Sequence, residues 1–245
     1  MLKAERTDKV FEIIKEKKYT TVAELVKRLC YSPATIRRDL TYLERLGLIV
    51  KSYGGVSINQ MAKPVIIREH ENTVDKIKLC KSASQFINDG DTVFIDGTTT
   101  TYFLNEYLLK KKNITVVTTN LKLAMFLGEN NVKCFVTGGQ VHDTIFLSGA
   151  LSSELIKKMR IDVAFFSCGR VSGSGEVCVG EKFWDFMNVA INKSKKNVLL
   201  CDAQKIKEKF SMVFCDLGVF DVVITDGEFS EHVYKKFKNT EFIKV

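Results

Sequence analysis

No stretch of this 245-residue chain approaches the roughly 20 uncharged apolar residues that a membrane-spanning helix requires. Its first residues, Met1-Leu2-Lys3-Ala4-Glu5-Arg6, are charged at once and lack the apolar core of a secretory signal. The expected location is the cytoplasm, with no membrane partner. Seven cysteines (Cys30, Cys80, Cys134, Cys168, Cys178, Cys201, Cys215) make an odd, scattered set without a Cys-x-x-Cys pair, which excludes the common zinc and dithiol patterns. Most of them stand in apolar runs such as Val198-Leu199-Leu200-Cys201, where a free cysteine behaves as a small buried hydrophobe. The three histidines (His70, His142, His232) lie far apart, and none has a second ligand-type residue at helical spacing. Neither a metal nor a cofactor is expected.

What the chain does carry is positive charge, unevenly placed. The net charge is +8, and residues 1–60 hold twelve Lys/Arg against seven Asp/Glu, an excess of five in about a quarter of the length. That is the footprint of a small nucleic-acid module. The length suits two domains. The expected division is a winged helix-turn-helix over residues 1–60, a linker over 61–73 marked by Pro64, and an α/β effector-sensing and oligomerisation domain over 74–245.

In the first segment Val10, Ile13 and Ile14 mark the apolar face of one helix. Thr21 and Glu24 form a capping box ahead of a second helix with Val22, Leu25, Val26 and Leu29 on one stripe. Ser32-Pro33 then starts a third helix, Ser as cap and Pro at the first helical position. Its stripe of Ile36, Leu40 and Leu43 faces the core, which leaves Arg38, Thr41 and Arg45 opposite and Thr35, Arg37 and Tyr42 on the flanks. Gly47 suits a helix stop, and Leu48 to Ser57 reads as a two-stranded wing with Gly54-Gly55 in or beside its turn. The second helix of such a motif enters the major groove, where arginine reads guanine and also binds phosphate. Ser32, Thr35, Arg37, Arg38, Thr41, Tyr42 and Arg45 are therefore candidate contacts to double-stranded operator DNA.

Past the linker, apolar strands at 92–95, 114–117, 133–136, 162–166, 197–200 and 221–224 alternate with helical stretches near 74–88, 100–111, 120–128, 149–159, 183–195 and 230–237. This alternation predicts a mostly parallel sheet covered by helices, an α/β fold. Ligands of such sheets sit at the carboxyl ends of strands, and helix starts offer free amides to phosphate. The strand at 92–95 runs into Asp96-Gly97-Thr98-Thr99-Thr100-Thr101. Asn120, Gly138, Gly139 and Gly149 follow the next strands, Lys205 follows the strand at 197–200, and Lys76 opens the first helix of the domain. These residues are the candidate pocket for a small phosphorylated metabolite.

The run SPATIRRDL at 32–40, followed by LERLGLIVKSYGGV at 43–56, resembles the DeoR family of bacterial transcriptional regulators, and the likeness continues through the Asp-x-Gly-Thr-Thr loop, Thr119-Asn120, Gly138-Gly139 and the lysine shortly after Asp202. The resemblance implies a winged helix-turn-helix ahead of an effector domain akin to sugar-phosphate isomerases, in a repressor of sugar or nucleoside operons. It also implies that Thr35, Arg37 and Arg38 contact DNA, with Lys51 and Tyr53 near the wing. Two departures stand out. Thr98 occupies a usual glycine position, and Phe183 and Met187 replace an acid and a lysine, which predicts a less polar wall or a pocket that has lost its original sugar.

An isomerase is the rival reading, but the strand at 162–166 runs into Ser167-Cys168-Gly169-Arg170 with no paired carboxylates to move a proton, so no catalytic residue is assigned. A sequence-indifferent nucleic-acid binder would need neither a recognition helix nor a metabolite pocket. A homo-oligomer, dimer or tetramer, is expected because helix-turn-helix proteins commonly bind two half-sites.

Overall fold

Val10, Ile13 and Ile14 lie on one face of α1 (Lys3–Lys17) and are buried. In the computed structural model, which describes residues 3–17, 19–45, 49–52, 55–58, 71–143, 145–207 and 212–245, they share a small core with Leu25, Ile36, Leu40, Leu43, Ile49 and Val56. Thr21 starts α2 (Val22–Leu29) as the capping box requires: its hydroxyl accepts from the Glu24 amide at 3.2 Å, and the Glu24 carboxylate accepts from the Thr21 amide at 3.1 Å. Next comes α3 (Pro33–Arg45), then β2 (Ile49–Ser52) and β3 (Gly55–Ile58), an antiparallel wing. A two-residue strand ahead of α2, β1 (Tyr19–Thr20), pairs with β3, a contact too short to leave a sequence pattern. Gly47, Gly54 and residues 61–70 of the expected linker lie outside the described residues. The chain divides into two units, Met1–Glu71 and Asn72–Val245.

One charge in the first unit is buried. Asp39, on the core side of α3, accepts from Arg6 Nε at 2.6 Å, from Arg6 Nη2 at 2.9 Å and from Thr7 Oγ1 at 3.5 Å. A carboxylate without water needs such partners, and here they tie α1 to α3. The Arg6 guanidinium also lies over the Tyr31 ring, 5.4 Å from its centre.

The second unit begins with α4 (Thr73–Ala83) and β4 (Thr92–Ile95), then a 3₁₀ turn (Thr101–Leu104) leading into the single turn α5 (Asn105–Leu108). It continues through β5 (Thr115–Thr118), α6 (Leu121–Glu129), β6 (Lys133–Val136), the hairpin β7 (Gln140–His142) and β8 (Phe146–Ser148), α7 (Ala150–Lys157) and β9 (Ile161–Ser167). There follow β10 (Arg170–Val171), β11 (Glu176–Cys178), α8 (Trp184–Lys193), β12 (Ser194–Cys201), β13 (Cys215–Asp216), β14 (Val222–Thr225), α9 (Glu231–Lys236) and β15 (Glu241–Lys244).

Seven strands form one sheet in the order β15-β14-β12-β9-β4-β5-β6, and every neighbouring pair is parallel. Strand alternation splits its side chains between two cores. Phe94, Val117, Phe166, Leu199 and Val223 face one way with Phe186 and Met187 of α8. Ile95, Val116, Phe165, Leu200 and Ile224 face the other with Leu79 of α4 and Leu123 of α6. Both faces are buried, so each central strand reads as a continuous apolar run. The chain leaves β4 outward through β5 and β6, then returns to lay β9 on β4's other side. The order therefore reverses between β4 and β9, and it is at the carboxyl ends of the strands at such a switch point that open α/β sheets hold ligands.

The helix expected over 100–111 is reduced to the 3₁₀ turn and α5, because the threonine hydroxyls bond within their own loop instead of capping a long helix. Residues 194–195, expected to finish a helix, open β12 instead, since Ser194 pairs with Ile161. Phe166 touches Phe94 and Phe220 in the first of these cores, with ring centres 5.6 and 6.0 Å apart. Phe166→Ala should cost about 3–5 kcal/mol, measured by urea unfolding of the full chain, and Phe166→Leu should cost far less.

Candidate nucleic-acid interface and effector pocket

On α3 the core stripe leaves Arg37 and Arg38 exposed, and among the described residues neither makes an ion pair. Tyr42 is also exposed. The remaining candidates are held by their neighbours. Ser32 Oγ accepts from the Thr35 amide at 3.2 Å and bonds the Thr35 hydroxyl at 2.9 Å, which makes it the helix cap. Thr41 Oγ1 donates to the Arg37 carbonyl and accepts from Lys51 Nζ at 3.0 Å. Lys51 also pairs with Glu44 at 2.7 Å, so this wing lysine braces β2 on α3 and its charge is offset. The Arg45 side chain and Tyr53 lie outside the described residues. The start of α2, α3 and the wing enclose a cleft of about 780 Å³, lined by Thr21, Arg37, Thr41, Lys51 and Ser52 among others. Sequence spacing gave no sign of that cleft, because three separate elements form it.

In the second unit the switch point between β4 and β9 is closed by Asp96. Its Oδ1 accepts from the Thr98 amide at 3.0 Å, the Thr98 hydroxyl at 2.8 Å and the Thr101 hydroxyl at 2.6 Å, while Oδ2 accepts from the Ser167 amide at 2.8 Å. Burial pushes the Asp96 carboxyl up, and the bonds from Thr101, Ser167 and Thr98 pull it down. Asp96 therefore shapes the loop with both oxygens occupied. Gly97 lets the loop pass beneath the β7-β8 hairpin, since a Cβ there would stand 2.6 Å from that of Phe146.

The loop so formed presents Thr99 and Thr100 to two lysines. Lys76 Nζ of α4 donates to Thr99 Oγ1 at 3.2 Å and is buried. Lys205 Nζ, just past β12, donates to Thr100 Oγ1 at 3.0 Å and to Ser167 Oγ at 2.7 Å, and stands 3.4 Å from Asp202 Oδ2. Two ammonium groups thus converge on adjacent hydroxyls where a parallel sheet binds ligands. Ser167, whose hydroxyl donates to the Leu200 carbonyl at 2.6 Å, has no sequence signal of its own, since a lone serine after an apolar strand marks no motif.

Asn120 caps α6 by accepting from the Leu123 amide, and its Nδ2 and the Thr119 hydroxyl are buried without a partner in the structure. Gly138 and Gly139 lead into the hairpin; Gly139 has φ +128° and no room for a side chain, as a Cβ would meet the Ser148 carbonyl. Gly149 precedes α7. The glycines are thus grouped around the hairpin, whereas Asp96, Thr98, Thr100, Thr101 and Lys205 are linked directly or through Ser167, and Lys76 bonds Thr99 of the same loop. Of the two replaced positions, Phe183 stacks on Phe146 at 4.7 Å, and Met187 is buried in the core with Phe94 and Phe186. The expectation that both residues would form a pocket wall is met by Phe183 at most, because α8 turns Met187 onto the sheet.

A helix-turn-helix with exposed arginines on its second helix, joined in one chain to a parallel sheet with two lysines bonded to the loop at its switch point, defines a DNA-binding regulator that carries its own small-molecule sensor. Residues 6–62 match the family model described as the DeoR-like helix-turn-helix domain, and residues 71–227 match the DeoR C terminal sensor domain. The chain belongs to the DeoR family of transcriptional regulators and is not an enzyme. It is 29% identical to the lactose phosphotransferase system repressor of Lactococcus lactis subsp. lactis, over 97% of this chain and 96% of that one. It is 30% identical to the HTH-type transcriptional regulator GlpR of Haloferax volcanii, over 93% and 91% of the two chains. A ribose 5-phosphate isomerase A structure from Neisseria gonorrhoeae is similar at a TM-score of 0.41, with 16% identity over 56% of this chain and 54% of that one.

Asp96→Ala would leave the Ser167 amide and the threonine donors unmet, and each unmet buried donor costs roughly 1–3 kcal/mol. Urea unfolding should show a loss of that order, larger than for Ser167→Ala. Equal stability of the two variants would remove Asp96 as the organiser of the loop.

Proposed function

We propose that this chain represses an operon for sugar uptake or use, binding its operator through α3 and releasing it when a phosphorylated sugar enters the crevice beside β4 and β9. The observation that carries this reading is the pair of ammonium groups, Lys76 Nζ and Lys205 Nζ, held on neighbouring hydroxyls of one loop. A lysine near a strand end serves phosphate as a point charge, and a phosphate seated at this loop would face both ammonium groups while taking hydrogen bonds from Thr99 and Thr100. The name of the lactococcal relative, a lactose phosphotransferase system repressor, supports a sugar as the signal. The half-buried Phe183 on Phe146 would offer an apolar face to the far end of that ligand. The reading places the protein in the cytoplasm, as a dimer or tetramer that engages two half-sites.

An effector shifts DNA binding only through its differential affinity for the DNA-competent and incompetent states, so both binding and release are measured. Calorimetry with a panel of sugar phosphates should find one that binds, with affinity at least tenfold weaker in Lys205→Ala and reduced in Thr100→Val; the same compound should lower operator affinity in gel shifts. If no sugar phosphate binds at millimolar concentration, or if both variants bind as the parent does, the pocket is misassigned.

For the DNA surface, Arg38→Ala should weaken operator binding by about 1–3 kcal/mol if the guanidinium pairs with a guanine. Its exposure predicts an unchanged fold by circular dichroism. An equal loss on specific and scrambled duplexes would make it a phosphate contact, and no loss on either would remove it from the interface.

A further inference from the structure

Strand register makes neighbours of two cysteines that the chain holds 33 residues apart. Ser167 at the end of β9 pairs with Leu200 of β12, so the next residues on each strand, Cys168 and Cys201, stand side by side at the carboxyl edge of the sheet. Both side chains lie in the core that contains Phe166 and Leu199. Neighbouring strands are about 4.8 Å apart, inside the roughly 4.4–6.8 Å Cα separation that a disulfide spans. The Cys201 thiol donates to the Asp202 carbonyl at 3.6 Å, and the Lys205 ammonium acts on both cysteines. Cys168 keeps 5% of its surface exposed and Cys201 none, so a small oxidant arriving past Lys205 meets Cys168 first.

We propose that Cys168 and Cys201 form a peroxide-sensitive thiol pair, closing to a disulfide at the rim of the crevice. Cys168, as thiolate, attacks one oxygen of hydrogen peroxide; the O–O bond breaks, the departing hydroxide takes up the proton that Cys168 gave up and leaves as water, and Cys168 becomes a sulfenic acid. The Cys201 sulfur then attacks that sulfur, the S–S bond forms, the S–O bond breaks, and the hydroxyl leaves with the Cys201 proton as a second water. Two thiols are oxidised and one peroxide is reduced, without another co-reactant. The Lys205 ammonium favours a thiolate at this pair, and the residual exposure of Cys168 makes it the sulfur that the oxidant reaches first. Closure would draw on the two strand ends that carry Ser167 and Lys205, the groups bonded at 2.7 Å across the crevice.

The full chain carrying Cys30→Ser, which removes an exposed thiol, is treated with hydrogen peroxide, alkylated under denaturing conditions and mapped by mass spectrometry. The expected result is loss of two free thiols per chain, a cross-linked peptide joining Cys168 to Cys201, and full recovery with dithiothreitol. Adding Cys201→Ser should abolish the cross-link and leave Cys168 trapped as sulfenic acid by dimedone. Linkage of Cys168 to Cys178 or Cys215, or oxidation of other cysteines while this pair stays reduced, overturns the proposal. The mapping needs no effector, so its failure and that of the proposed sugar phosphate are separately visible.

Discussion

The carboxylate of Asp96 sits where β4 and β9 diverge, and its two oxygens are divided between the two sides of that gap. One takes the Ser167 amide at the end of β9, and the other takes three donors from the threonine loop that follows β4. A charged group at that depth is tolerable only with such a set of donors. The consequence is geometric. The loop is curled tightly enough to turn Thr99 and Thr100 outward to Lys76 and Lys205, and Ser167 is held where it can accept from Lys205. The loop owes its shape to an acid whose two oxygens are both engaged within the fold.

The first unit uses the same device. Asp39 is surrounded by the apolar positions of α3 and takes a two-pronged bond from Arg6 of α1. Buried ion pairs contribute little net stability but punish other packings, since a shifted helix would strand a charge. That constraint fixes how α3 rotates, and so which arginines look outward. Lys51 adds a tie from the wing to Thr41 and Glu44 on the same helix. The surface that Arg37 and Arg38 present is set by contacts made on the opposite side.

Much of this architecture was legible in the chain because its cause is periodic. The capping box at Thr21 and Glu24 and the stripe of Ile36, Leu40 and Leu43 are found where their spacing puts them, and five of the six expected strands lie within a residue of their expected bounds, whereas β12 begins three residues earlier and β6 proves to be an exposed edge strand. The edge strand β15 and the small strands β10, β11 and β13 escaped, being two to four residues long and partly exposed. The helix expected after the threonine loop shrank to a turn because hydroxyl groups competed with the backbone for its first bonds. Phe183 and Met187 looked alike as departures from the family pattern, but Phe183 stands half-buried in the 3₁₀ turn ahead of α8, against Phe146, while Met187, inside α8, is fully buried in the core.

The sequence by itself determined the class of each domain, the family, and which residue types could meet DNA or phosphate, since local propensity, charge and hydrophobic period are properties of contiguous residues. Only the tertiary structure decided what each of those groups touches. Asp96, Ser32, Thr41 and Lys51 carry the right chemistry for a ligand and bond to neighbours in their own unit, and Lys76 and Lys205, 129 residues apart, are brought to adjacent hydroxyls of one loop. Whether a donor is spent within the fold or aimed at a ligand depends on strand order and register. Those are set by the burial of both sheet faces together, a condition that no single segment contains.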